Sequence, residues 1–173
     1  IREDICQMEN KGLTLIGMPG SGKSTIGKII AENLGRLFID LDILIKERTG
    51  RSHAEILSEK GGRDFIRMEG NFAMEVNLAG IVFSPGGSIV YSDEAMKKIK
   101  NESKIIYLSL SVYEIRERLG GAADGRVIVG LKEKGLDVLF GERDALCRSY
   151  ADEVLDCGGL SKNDIVGLLI NKM

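Results

Sequence analysis

A chain of 173 residues, 43% of them hydrophobic, is long enough for one compact domain with a continuous core and too short for two independent ones. With 24 Lys and Arg against 26 Asp and Glu, its formal net charge of −2 provides no global positive field to recruit nucleic acid, so any bound anion must be held locally. Cys6, Cys147 and Cys157 show no C-x-x-C spacing, no apolar run approaches the roughly 20 residues that span a bilayer, and the charged start does not read as a signal peptide. These features predict a cytoplasmic protein with idle thiols, no membrane partner and no disulfide framework.

In chain order, residues 13–16 form a short apolar strand that runs into a glycine-rich turn, and residues 25–34 follow as a helix with Ile26, Ile29, Ile30 and Leu34 on one face. "LFIDLDILI", residues 37–45, alternates apolar and acidic at its centre and reads as a second strand; "AGIVFSPGG", residues 79–87, is a third that breaks at Pro85. Residues 103–110 and 152–159 supply the fourth and fifth strands. Helices are expected over 53–59, 64–78, 93–100 and 112–119, with a closing helix near 161–173. Alternating strands and helices predict an α/β fold of three layers, a five-stranded parallel sheet covered on both faces. Residues 120–137 stand apart, with five glycines in "GGAADGRVIVGLKEKGLD" and weak periodicity, as a mobile lid.

The turn reads G-x-x-x-x-G-K-[ST] from Gly17 to Ser24 with no position out of place. Glycines at Gly17, Gly20 and Gly22 let the backbone bring N–H groups toward one point, and the helix that follows aims its positive dipole end there. Ser21 and Thr25 belong to the same cradle. Lys23 is expected to reach the β- and γ-phosphates of a nucleoside triphosphate, and the Ser24 hydroxyl to ligate its Mg²⁺. Asp40 and Asp42, two apart in the second strand, are expected on one face at the carboxyl edge of the sheet, beside the loop if that strand neighbours the first. There one carboxylate can hold a Mg²⁺-bound water and the other can orient or deprotonate an acceptor hydroxyl. His53, without metal-ligating neighbours, reads as a capping or surface residue, and Lys97, Lys98 and Lys100 as a solvated helix face.

Through "GMPGSGKST", "FIDLDILIKERTGRS", "GGRDFIRMEG", "SPGGSIVYS" and "ERDALCRSYADEVLD" the chain resembles the shikimate kinase family, small P-loop enzymes related to nucleoside monophosphate kinases. The resemblance implies a single ATP- and Mg²⁺-dependent kinase domain over residues 1–173, a monomer that phosphorylates a hydroxyl of a small carboxylate metabolite. It implies that Asp40 helps hold Mg²⁺ and that Asp42 binds acceptor hydroxyls as the base. It implies further that Gly86 and Gly87 offer N–H groups, Arg143 clamps the acceptor carboxylate, and Arg126 in the lid serves the transferring phosphates. Departures from the family pattern are Ile66 where a second clamping arginine belongs, Pro85 in place of the first glycine of a triplet, Cys147 for a tyrosine, and a lid without the usual arginine-proline pair. Arg67, one residue late, is the candidate for the missing clamp, though one residue on a helix is a rotation of about 100°. Other hydroxyl acceptors (an amino acid, a sugar acid or a nucleotide) and a non-catalytic nucleotide-binding switch remain alternatives.

Overall fold

A computed structural model describes residues 11–120 and 127–172. β1 (Gly12–Ile16) leads through the glycine-rich turn into α1 (Lys23–Leu34); β2 (Phe38–Asp40) is followed at once by α2 (Leu41–Thr49) and α3 (His53–Glu75). β3 (Val82–Ser84), a turn of 3₁₀ helix at Ile89–Tyr91, α4 (Asp93–Glu102) and β4 (Ser103–Ser109) come next. The remainder is α5 (Val112–Gly120), α6 (Leu131–Lys134), α7 (Leu136–Tyr150), β5 (Glu153–Asp156) and α8 (Lys162–Ile170).

The five strands lie in the order β2-β3-β1-β4-β5, every neighbouring pair parallel. Alternation along the strands divides the apolar side chains between two faces. Phe83, Ile105 and Tyr107 pack with Leu41, Ile45, Phe65 and Met96 from α2, α3 and α4. Val82, Ile106 and Leu108 pack with Ile26 and Ile30 of α1, Ile115 of α5 and Leu169 of α8. The sheet is thus sandwiched, as the strand-helix alternation predicts.

The structure differs from the sequence reading in three places. Residues 37–45 are not one strand: the Asp40 carboxylate accepts from the N–H groups of Asp42 (3.0 Å) and Ile43 (3.3 Å), which ends β2 and starts α2. Asp42 therefore sits in a helical first turn, and β3 separates β2 from β1. The expected helices 53–59 and 64–78 are one element bent at Gly61, whose φ of 76° and ψ of 169° lie outside the helical range. Ser52 opens it with a capping box to Glu55, so His53 is not the cap. The 15-residue α7 was not anticipated as an element of its own.

Candidate active site

The carboxyl ends of β1, β2 and β3 open into a cavity of about 830 Å³, within the range usual for small-molecule sites. Its floor is the glycine-rich turn. Gly20 and Gly22 hold φ of 84° and 96°, left-handed values open to glycine, and leave the turn's N–H groups ahead of the α1 N-terminus. Gly20, Gly22, Lys23, Ser24 and Thr25 line the cavity. Gly17 and Ser21 lie beneath: Lys23 Nζ donates to the carbonyls of Gly17 (3.0 Å) and Met18 (3.1 Å), and the Ser21 N–H donates to Met18 O (3.1 Å). Burial lowers the Lys23 pKa from its ordinary value, while Asp42 and Asp40 oppose that shift.

Opposite the turn stand the acids. Ser24 Oγ donates to Asp40 Oδ2 at 2.5 Å, which places a hydroxyl and a carboxylate oxygen side by side at the mouth of the turn. That donor set suits a hard cation, and no cluster of three or more His, Cys, Asp or Glu able to hold a metal occurs among the described residues. Asp42 enters from α2 rather than from a strand, yet it reaches the same cavity. The two acids are brought together by a helix cap, not by strand pleating.

The third wall combines the β3 turn with α3 and α7. Gly86 approaches so closely that a Cβ there would overlap Glu69 Oε1 and lie 2.9 Å from Asp42 Oδ1. Gly87 packs on Pro19 and Arg143. Glu69, only 1% exposed, accepts from Ser88 Oγ at 2.5 Å, and burial, with Asp42 nearby, pushes its pKa up to about 7. Arg143 is equally buried at 1%. Its guanidinium donates to Val129 O at 2.8 Å and lies over the Tyr91 ring, its Nε has no partner, and it has no ion pair among the described residues. An uncompensated buried cation is costly. Such a guanidinium suits an anionic guest.

Arg67 is a correction. Its side chain is 75% exposed, pairs with Asp64 at 3.1 Å and does not line this cavity, whereas Ile66 turns inward against the core. The offset of one residue does turn it off the face. Arg126 lies outside the described residues. Of the segment expected as a lid, Ile128 and Val129 are buried, and residues 131–134 form a short helix with no buried residue. Cys147 is buried beneath the site, its thiol pushed up to about 12 by burial. Sequence reasoning missed Arg118, which reaches from α5 to donate to Gly20 O at 3.1 Å, as well as Glu69 and His53 in the cavity wall. Only the fold brings these to the turn; nothing in their local sequence marks them.

A strand-turn-helix cradle at the carboxyl edge of a sandwiched parallel sheet, faced by a serine-aspartate pair and a buried arginine, is the arrangement of a P-loop kinase of small molecules. Comparison with known proteins narrows the class. The shikimate kinase family profile matches residues 19–173. A shikimate kinase of Mycobacterium avium is 34% identical over 165 residues, covering 92% of this chain and 91% of its own, and one of Nitrosomonas europaea is 32% identical over 163 residues, covering 93% and 77%. The structure of a shikimate kinase from Acinetobacter baumannii in complex with shikimate superposes with a TM-score of 0.84 at 25% identity, covering 94% of this chain and 92% of that one. The chain belongs to the shikimate kinase family.

Proposed function

We propose that this protein transfers the γ-phosphoryl group of ATP to a hydroxyl of shikimate, giving shikimate 3-phosphate and ADP. The observation that carries the reading is Arg143: a buried guanidinium without an ion pair among the described residues, across one cavity from the phosphate cradle. Its planar fork suits a carboxylate, and the Gly86 and Gly87 N–H groups beside it suit the same guest.

The backbone from Gly20 to Ser24 holds the phosphates, and Lys23 exchanges the carbonyls of Gly17 and Met18 for the β- and γ-oxygens. Ser24 and Asp40 would hold Mg²⁺, which would supply positive charge against the negative charge of the phosphates. Asp42 receives the proton of the acceptor hydroxyl as its oxygen attacks the γ-phosphorus in line and the bond to the bridging oxygen of ADP breaks. Arg126, carried by a lid over residues 120–137, and Arg118 balance the charge that moves. Closure of that lid excludes water, the competing acceptor. We read residues 1–173 as one catalytic domain acting as a monomer in the cytoplasm, where its thiols stay reduced. Among the described residues no helix is long and apolar enough to cross a membrane.

The face of α3 toward the cavity carries no arginine, which favours a second reading, an acceptor with another anchoring group. A coupled assay with ATP and Mg²⁺ against shikimate, homoserine, gluconate and nucleoside monophosphates decides. Release of ADP stimulated by shikimate above the others is expected. Stimulation by a different alcohol moves the assignment to it, and a rate indifferent to every alcohol overturns both.

A further inference from the structure

His53 is the chain's one histidine and the first residue of α3. Its side chain is 25% exposed and lines the cavity with Asp42, Phe65 and Glu69. Three relationships define the ring. Phe65 meets it edge-on, with centroids 5.2 Å apart and planes at 80°. Nδ1 lies 3.7 Å from Asp42 Oδ1. Nε2 is closed off from solvent and has no hydrogen-bond partner among the described residues.

A neutral imidazole carries a proton on one nitrogen and a lone pair on the other. A proton on Nε2 would bury a donor without an acceptor and turn the Nδ1 lone pair toward a carboxylate, and both are unfavourable. With the proton on Nδ1, the ring is a donor directed at Asp42. The Phe65 edge keeps it there. No step described above uses this group, yet it contacts the carboxylate assigned to the acceptor hydroxyl. That carboxylate stands half exposed on a helical turn, and a displacement of about 1 Å at a reacting group can cost about a hundredfold in rate.

We infer that His53 is a positioning residue whose Nδ1–H fixes the Asp42 carboxylate for the acceptor and so sets acceptor affinity in this chain. The inference rests on Asp42 being the acceptor's ligand. The present 3.7 Å is longer than a hydrogen bond, and the bond forms as the cavity tightens around the bound acceptor.

A single histidine makes the first test unambiguous. Long-range ¹H–¹⁵N spectra of the full chain at mildly alkaline pH should show the Nδ1–H tautomer, with ring signals that move in Asp42→Asn. A proton on Nε2, or signals indifferent to Asp42→Asn, overturns the inference whatever the acceptor proves to be. The second test is kinetic. His53→Leu should raise the acceptor KM about tenfold, as for one hydrogen bond to a charged group, with the ATP KM unchanged. His53→Asn, whose amide nitrogen falls near the place of Nδ1, should restore most of the loss, and His53→Gln, which reaches toward Nε2, should not. Rescue by Gln alone, or an unchanged acceptor KM in His53→Leu, also overturns it. A wild-type chain that phosphorylates no tested acceptor overturns the proposed function and leaves His53 to the spectra.

Discussion

Ser24 Oγ donates to Asp40 Oδ2 across 2.5 Å, tying the first turn of α1 to the last residue of β2 over a gap that β3 and β1 otherwise keep open. The same carboxylate caps α2, so one side chain fixes both the pairing with Ser24 and the helix that carries Asp42.

Asp40→Asn should therefore act twice. Loss of the anionic oxygen beside Ser24 should raise the Mg²⁺ concentration for half-maximal rate by about tenfold to a hundredfold, on the scale of altered metal-supporting groups. The α2 cap survives, because asparagine caps helices about as well as aspartate. Tm should stay within a few degrees while a Mg²⁺ titration of the coupled assay shifts; Asp40→Ala should also lower Tm, by the equivalent of about 1 kcal/mol.

Arg143→Met should separate binding from stability. Removing a buried cation that lacks an ion pair should leave the fold as stable or more so, by up to about 4 kcal/mol, in chemical denaturation. The acceptor KM should rise about a hundredfold, as when a buried charge-assisted pair is lost. A large fall in stability with KM unchanged would show a structural cation instead.

Glu69 makes stability depend on pH with a definite sign. Its carboxyl is pushed by burial to about 7 in the folded chain from an ordinary 4.5, so the folded state holds the proton that the unfolded state has lost. Stability attributable to this group is greatest below pH about 4.5, falls as pH rises toward about 7, and is level beyond, a total of up to about 3 kcal/mol. Glu69→Gln retains an oxygen for Ser88 Oγ and cannot ionise. The difference in Tm between mutant and wild type should grow from pH 5 to pH 7.5 in the mutant's favour.

Arg67→Ala tests the outward placement on α3. An exposed pair with Asp64 contributes little, so stability should change by no more than about 0.5 kcal/mol and the acceptor KM should not change at all. A raised KM would bring Arg67 back to the cavity in the working enzyme.

The layers of this fold were legible because strands of β-branched and aliphatic residues alternate with amphipathic helices, and the turn from Gly17 to Ser24 was legible because its chemistry is contiguous. The "DLD" stretch does place two acids at the cavity, but by a geometry other than the one read from it. Its alternation mimics a strand, while the Asp40 side chain bonds backward onto the two N–H groups that follow and starts a helix. α7 went unseen because glycines and a short helix precede it, and its inward residues, Leu139, Arg143 and Cys147, include a charge where periodicity looks for an apolar side chain. Glu69 against Gly86 was out of reach of any local pattern, since its partners lie 17 and 19 residues away on a separate turn.

The strand order carries a consequence for how the protein is made. Leu13 pairs with Val82 on one side and Lys104 on the other, so the central strand leaves the ribosome long before either neighbour exists. Parallel pairing at that separation closes large loops and is slow compared with helix formation. The glycine-rich turn is synthesised well before the arginine that faces it, which arrives only with α7. A translational pause before residue 143 leaves a nascent sheet without that arginine.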